Sequence, residues 1–178
     1  MDTKNINYPH TKPVLVDLGL PSGTLWADRN VGADTPEGYG DYYRWRDTVP
    51  YDADAVQRKI VLTDLKHDTA YAILGEEYRM PTEEQMRELY AHCKCQKTTL
   101  NRVNGIKVTG PNGNHIFLPA AGDKHDIYAS EPGHEGFYWS STVENHLAYV
   151  LDFRHWGRCT IHREYAYGCS VRAVGATK

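Results

Sequence analysis

The sequence predicts an α+β fold, with two helices in the first half and antiparallel strands in the second. Three observations lead to this prediction. A capping box at Thr82-Glu83-Glu84-Gln85 marks the start of an amphipathic helix. Two apolar runs flank a turn-rich segment at 109–114, as in a β-hairpin. Aromatic and apolar residues between Gly136 and Phe153 have the short-period pattern of further strands.

The first elements are short extended segments separated by turns. Residues 1–13 form a polar lead-in, and a single domain is expected over residues 14–178. Val14–Leu20 is a strand-like run that stops at the turn signal Pro21-Ser22-Gly23, and Thr24–Ala27 resumes the extended structure. Tyr42–Arg46 alternates and predicts another short strand, whereas residues 47–66 fit no element.

The clearest helix begins at Thr82, directly after Pro81. Its apolar residues recur at helical spacing and predict a stripe that faces the core: Met86, Leu89, Tyr90 and Cys93. A weaker helix is predicted from His67 to Leu74, ending at Gly75.

The second half reads as β structure interrupted by one unusual segment. Val103–Val108 and His115–Leu118 form the predicted hairpin, and two strands follow within Gly136–Phe153. The segment Arg154–Tyr165 fits neither a helix nor a strand template, yet it holds three Arg, two His, a Trp and a Tyr. Such side chains on a rigid scaffold are typical of a binding surface.

Composition excludes several classes of function. The net charge of −3 gives no bulk attraction to nucleic acid, and no apolar run is long enough to span a membrane. The N-terminus lacks the apolar core of a signal peptide, so we expect either synthesis without a secretion signal or a signal absent from this chain. Thirteen Tyr against three Phe favour interfacial surface.

The cysteines leave two alternatives. Cys93 and Cys95 are too close in sequence for a usual structural bridge, whereas Cys159 and Cys169 could face each other across strands. Free, partly buried thiols are expected, with a Cys159–Cys169 disulfide as the alternative. No cofactor or metal is expected, although His155, His162 and Glu164 could meet on one surface as ligands.

A set of motifs recurs in order along most of the chain and resembles one known family. The chain is similar to the Fibrobacter succinogenes major paralogous domain of gut Bacteroidetes over residues 14–174. The motifs that carry the resemblance are 16–27 (VDLGLPSGTLWA), 30–33 (NVGA), 39–45 (YGDYYRW), 78–82 (YRMPT), 104–113 (NGIKVTGPNG), 116–122 (IFLPAAG), 138–141 (YWSS) and 170–172 (SVR).

The resemblance implies a C-type lectin-like fold of the branch that includes formylglycine-generating enzymes. The variable proteins of diversity-generating retroelements belong to the same branch, and their C-terminal repeats vary at adenines, often within Asn codons. Changes of adenine alone cannot convert those codons to Lys, Met or Gln, and none of the three occurs from His125 to Thr177. Trp156 and Glu164 do not fit this pattern, because changes of adenine alone cannot convert Asn codons to Trp or Glu either.

We therefore predict a non-catalytic recognition protein with a variable surface, associated with a phage particle or a cell surface. Its ligand would be a protein or glycan, favoured to be anionic by three Arg against one Glu in 153–164, with no nucleic-acid partner and no membrane insertion. Display as an oligomer or on a larger particle would add avidity. The predicted ligand-binding residues are Tyr149, Asp152, Arg154, His155, Trp156, Arg158, Thr160, His162, Arg163, Glu164 and Tyr165.

Two alternatives remain open from the sequence. One is an undiversified adhesion domain of a gut bacterium. The other is an oxidoreductase of the formylglycine-generating type that uses Cys159 and Cys169, although the cysteine spacing of those enzymes is absent. Calcium-dependent sugar binding is not expected, because Glu131-Pro132-Gly133 lacks an amide ligand and no Trp-Asn-Asp stretch occurs.

Overall fold

The computed structural model describes residues 10–51, 68–125, 128–130, 132–153 and 159–175. The described residues form a mixed α+β structure, which confirms the predicted class. Its elements, in chain order, are β1 Leu15–Asp17, β2 Leu25–Ala27, α1 Thr69–Leu74, β3 Tyr78–Arg79, α2 Glu83–His92, β4 Lys94–Leu100, β5 Val103–Thr109, β6 His115–Pro119, β7 Asp123–His125, β8 Tyr128–Ser130, β9 Phe137–Glu144, β10 Leu147–Asp152, β11 Cys159–Arg163 and β12 Val174–Gly175.

The strands form four antiparallel sheets. A four-stranded sheet has the order β1-β2-β12-β3, so the last strand lies between β2 and β3. Two three-stranded sheets have the orders β11-β10-β9 and β4-β5-β6, and β7 pairs with β8. Neither α1 nor α2, the two helices of the described chain, is long and apolar enough to cross a membrane.

Helix α2 forms as the sequence predicts. The Thr82 hydroxyl accepts a hydrogen bond from the backbone N–H of Gln85 at 3.2 Å, and the Gln85 side chain accepts one from the N–H of Thr82 at 2.9 Å. This capping box satisfies two donors that the helix cannot pair internally. The predicted stripe faces the core: Met86 and Leu89 are fully buried, and Tyr90 and Cys93 pack partly buried against the same cluster.

Helix α1 is fixed at both ends. Asp68 caps its N-terminus by accepting from the N–H of Tyr71, and it also accepts from the N–H of Met80, at 2.9 Å from one carboxylate oxygen. The predicted end at Gly75 is confirmed, since that residue has a φ of +105° and is the C-cap. The predicted start at His67 lies outside the described residues.

Two apolar clusters lie on opposite faces of the β11-β10-β9 sheet. Trp139 and Val150 belong to the first, which includes α1, and Tyr138 and Leu151 belong to the second, which includes α2. Alternating residues of β9 and β10 are therefore buried on both faces. The sheet therefore lies between the two clusters, and its edge strand β11 is supported by pairing with β10.

Arg172 is a charged residue at the centre of this structure. Its guanidinium donates to Asn30 Oδ1 at 2.9 Å, to the carbonyl of Ala27 at 3.0 Å and to the carbonyl of Phe117 at 2.8 Å. Burial lowers the pKa of Arg172 to about 10. The contacts join segments that are far apart in sequence, so the Ser170-Val171-Arg172 motif has a structural role.

Some local predictions are wrong. Tyr42–Arg46 is not a strand but a buried loop, held by single contacts such as the bridge between Tyr43 and Cys169. The indole of Trp45 donates to the carbonyl of Ser140 at 2.7 Å. The extended run Val14–Leu20 is a strand only over Leu15–Asp17, because the Asp17 side chain accepts from the N–H of Gly19 and turns the chain. Strands β3, β4, β7, β8, β11 and β12 were not predicted.

The thiols of Cys93, Cys95 and Cys169 are free, which excludes the alternative Cys159–Cys169 disulfide. Cys169 is completely buried, and burial raises the pKa of its thiol to about 12. Among the described residues no group of His, Cys, Asp and Glu is arranged to hold a metal ion. His155, one ligand of the alternative metal set, lies outside them.

Candidate functional site

Strand β11 carries much of the predicted binding segment along the edge of its sheet. It pairs with β10 in antiparallel register, with Tyr149 opposite His162 and Val150 opposite Ile161. His162 and Glu164 are exposed, whereas Ile161, Arg163 and Tyr165 are half-buried. Because successive side chains of a strand point to opposite faces, the segment divides into an outward and an inward set.

His162 of the outward set lies in a cluster with Glu144 at the end of β9 and Tyr149 of β10. We call these three side chains the β10–β11 cluster. The rings of Tyr149 and His162 lie 4.3 Å apart at an angle of 51°. The Tyr149 hydroxyl donates to the Glu144 carboxylate, and His162 Nε2 lies 3.1 Å from Glu144 Oε2. The carboxylate therefore holds both rings in place on the surface.

Electrostatics fix the protonation of two members of the cluster. The hydrogen bond from Tyr149 and the nearby His162 ring hold the pKa of Glu144 below its ordinary value, so the carboxylate is ionised near neutral pH. The same hydrogen bond raises the pKa of Tyr149 and keeps its hydroxyl protonated. Glu83 and Arg87 of α2, which pair with each other, also affect the pKa of Tyr149: the Glu83 charge raises it and the Arg87 charge lowers it. The surface thus presents donors, acceptors and aromatic rings together.

The inward set includes Arg163, whose charge is taken up inside the molecule. Its guanidinium pairs with Asp123, and the two side chains are 14% and 2% exposed. The guanidinium carbon lies 4.0 Å from the ring centroid of Phe137 and 4.6 Å from that of Tyr167. Arg163 is therefore engaged in holding β11 against β7 and β9.

Tyr165 and Asp152 also serve as packing residues. Tyr165 stacks on Trp45 with the ring centroids 4.5 Å apart and the planes at 19°. Asp152 is buried at the end of β10, where its backbone pairs with Phe137 and Cys159. Of the predicted site residues with described side chains, the structure brings Tyr149, His162 and Glu164 to the surface and turns the other three inward.

The remaining predicted residues have no described side chains. Arg154, His155, Trp156 and Arg158 lie outside the described residues, and Thr160 is placed only by its backbone pairing with Leu151. Their roles stay predictions.

Glu144 is the member of the cluster that the sequence analysis missed. It precedes Asn145 and His146, which have φ values of +49° and +63° at the turn between β9 and β10. Positive φ at two successive residues is typical of a tight hairpin turn, which sets Glu144 opposite Leu147. The register shifts between Ala148 and Val150, a bulge at Tyr149. The dipeptide Asn145-His146 between two strand-like runs was the available signal.

The chain was compared with family models, with curated proteins and with solved structures, and none of the three comparisons yields a significant match.

Proposed function

We propose that this protein is a non-catalytic recognition protein with a C-type lectin-like fold, and that the outward residues of β10 and β11 bind its ligand. The observation that carries the proposal is the division of β11 into exposed and packed side chains. His162 of the edge strand β11 and Glu164, directly after the strand, are exposed, whereas Ile161 and Arg163 between and beside them are anchored in the molecule. A rigid strand with exchangeable outward residues suits a binding surface.

The same division supports a surface of the retroelement-diversified type. Substitutions at 162 and 164 alter the ligand-facing chemistry without removing a packed side chain, so many sequences can share one fold. Substitutions at 161 or 163 would disturb the core or the Arg163–Asp123 pair. Sibling genes should therefore vary at 162 and 164 more than at 161 and 163. A nearby template repeat and reverse transcriptase gene are expected; their absence would favour the undiversified adhesion domain.

The chemistry of the β10–β11 cluster favours a ligand bound through hydrogen bonds and ring contacts. Tyr149 and His162 offer aromatic surface with polar atoms, and Glu144 offers an ionised acceptor. A preference for anions would rest on Arg154 and Arg158, because the Arg163 guanidinium is paired with Asp123. A glycan or a protein surface on a cell is the proposed ligand class.

Cys169 supports recognition over thiol chemistry. A catalytic thiol must be reached by substrate and reacts as the thiolate. Cys169 is completely buried and its pKa is raised to about 12, so it has neither property. This observation disfavours the formylglycine-generating type of oxidoreductase, which would need Cys169 together with Cys159.

The proposal is tested by binding of the purified protein to arrays of glycans and of gut bacterial surface proteins. The variant Tyr149→Ala/His162→Ala removes both rings of the cluster, and we expect at least a tenfold loss of affinity for any captured ligand. The control Gln96→Ala/His115→Ala changes two exposed residues of β4 and β6 and should bind normally. Equal binding by both variants would move the site away from this surface.

A further inference from the structure

An open cleft of about 410 Å³ lies at the junction of β4, β5 and the segment around Gly133. This volume is within the range of small-molecule sites. Apart from Phe153, the described residues that line it lie outside the segment proposed for recognition, in β4, β5 and the chain between β6 and β9. The cleft is thus a second feature of the molecule, independent of the β10–β11 cluster.

The walls of the cleft are held by hydrogen bonds. Asn104 accepts from the Thr99 hydroxyl at 3.0 Å, and its amide donates to the carbonyl of Gly133 at 3.0 Å. The N–H of Gly133 donates to the carbonyl of Ala120 at 2.7 Å. These contacts fix the wall around Gly133 to both β5 and the end of β6, so the cleft is formed before any ligand arrives.

The lining is apolar at the bottom and polar at the rim. Ile106 and Phe153 are buried members of the second apolar cluster, and they form the floor. Lys97, Thr98, Thr99 and His134 are exposed and form the rim together with Asn104, and the Lys97 ammonium adds a hydrogen-bond donor. Hydroxyl, amide and imidazole groups both donate and accept hydrogen bonds. A matching ligand has an apolar face and a periphery of hydroxyl groups.

We propose that this cleft binds a pyranose ring of a glycan. The apolar face of the ring would lie toward Ile106 and Phe153, and its hydroxyl groups would exchange hydrogen bonds with Thr98, Thr99 and Asn104. No described lining residue is Asp or Glu, so the cleft offers no carboxylate for calcium, and binding does not need this ion. A single ring makes few contacts, and its Kd is expected at about 1–10 mM.

Saturation-transfer NMR with methyl α-mannopyranoside, methyl β-galactopyranoside and N-acetylglucosamine tests the proposal. At least one pyranoside should bind, and its affinity should be unchanged by EDTA. Thr99→Tyr places a ring in the cleft and should weaken binding at least tenfold. Gln96→Tyr makes the same exchange at an exposed residue of β4 that does not line the cleft, and should have no effect. Amide spectra of both variants report their folding.

Thr99→Val gives a second test that keeps the size of the side chain and removes only its hydroxyl. It should weaken pyranoside binding by about threefold to tenfold. The variant Tyr149→Ala/His162→Ala should bind the pyranoside normally, which separates this cleft from the proposed recognition surface. Absence of binding by all three pyranosides, loss in EDTA, or equal binding by wild type, Thr99→Tyr and Thr99→Val would overturn the proposal.

Discussion

Arg163 and His162 are neighbours in sequence that the fold uses in different ways. The Arg163 side chain is 14% exposed, pairs with the buried Asp123 and lies over the ring of Phe137. His162 lies on the opposite side of the strand, exposed, against Tyr149 and Glu144. One belongs to the scaffold and the other to the surface, although both have the residue types of a binding site.

This difference predicts unequal effects on stability. Arg163→Ala removes the partner of a buried carboxylate and should lower the free energy of unfolding by about 2–4 kcal/mol. His162→Ala should change it by less than about 0.5 kcal/mol, as is usual for exposed residues. Urea denaturation of both variants measures the two effects. Equal destabilisation would contradict the alternation of β11.

At the scale of single elements, the capping box of α2 makes a local contribution that can be measured. The Thr82 hydroxyl accepts from the N–H of Gln85, and α2 buries Met86 and Leu89 against the second cluster. Thr82→Ala should lower the free energy of unfolding by about 1 kcal/mol. Thr82→Ser retains the hydroxyl and should stay close to the wild type in thermal unfolding. A large loss in Thr82→Ser would show that the methyl group, not the cap, matters.

The elements differ in how well the sequence predicts them, and burial explains the difference. Helix α2 has a capping box and an apolar stripe, and the β5–β6 hairpin has apolar strands around a Gly-Pro turn. Strand β4 escaped prediction because most of its residues are polar and exposed, so no apolar alternation marks it. Strand β11 escaped because Arg163 turns inward, where an apolar residue would have revealed the period.

The prediction of a strand at 42–46 was wrong for the opposite reason. Its residues alternate as in a strand, yet Tyr42 to Trp45 are all buried, and the hydrogen bonds of the segment go to separate parts of the chain. Likewise, the sequence analysis assigned Arg163 and Tyr165 to the ligand-binding surface, whereas Arg163 pairs with Asp123 and Tyr165 stacks on Trp45. Which side chains face outward depends on the register with β10, and a single sequence gives no measure of that register.

At the scale of the whole molecule, buried tyrosine hydroxyl groups with raised pKa values predict a loss of stability at alkaline pH. Burial raises the pKa of Tyr42 and of Tyr138 to about 12, from 10.0. Between these values the unfolded chain releases protons that the folded protein keeps. Each such contribution is complete below pH 10 and is lost as the pH rises toward 12, by at most about 1.4 kcal/mol per pH unit.

Comparison with Tyr42→Phe isolates one of these contributions. The buried Arg172 acts with the opposite sign, because its pKa is lowered to about 10, and Cys169 acts with the same sign as the tyrosines. Both contributions are shared by the wild type and the variant. Urea denaturation from pH 8 to about pH 11 should show a shallower decline in Tyr42→Phe above pH 10. Parallel curves would contradict the raised pKa of Tyr42.

Strand β12 makes the first sheet depend on residues that follow the proposed binding segment in the chain. Val174 and Gly175 fill the position between β2 and β3, and Arg172 shortly before them bonds to Asn30, Ala27 and Phe117. The first sheet therefore closes only after the ribosome has released the segment that follows residues 154–165. A stop codon or frameshift in that segment would remove Arg172 and β12, an interior strand of this sheet, and we expect the truncated products not to fold.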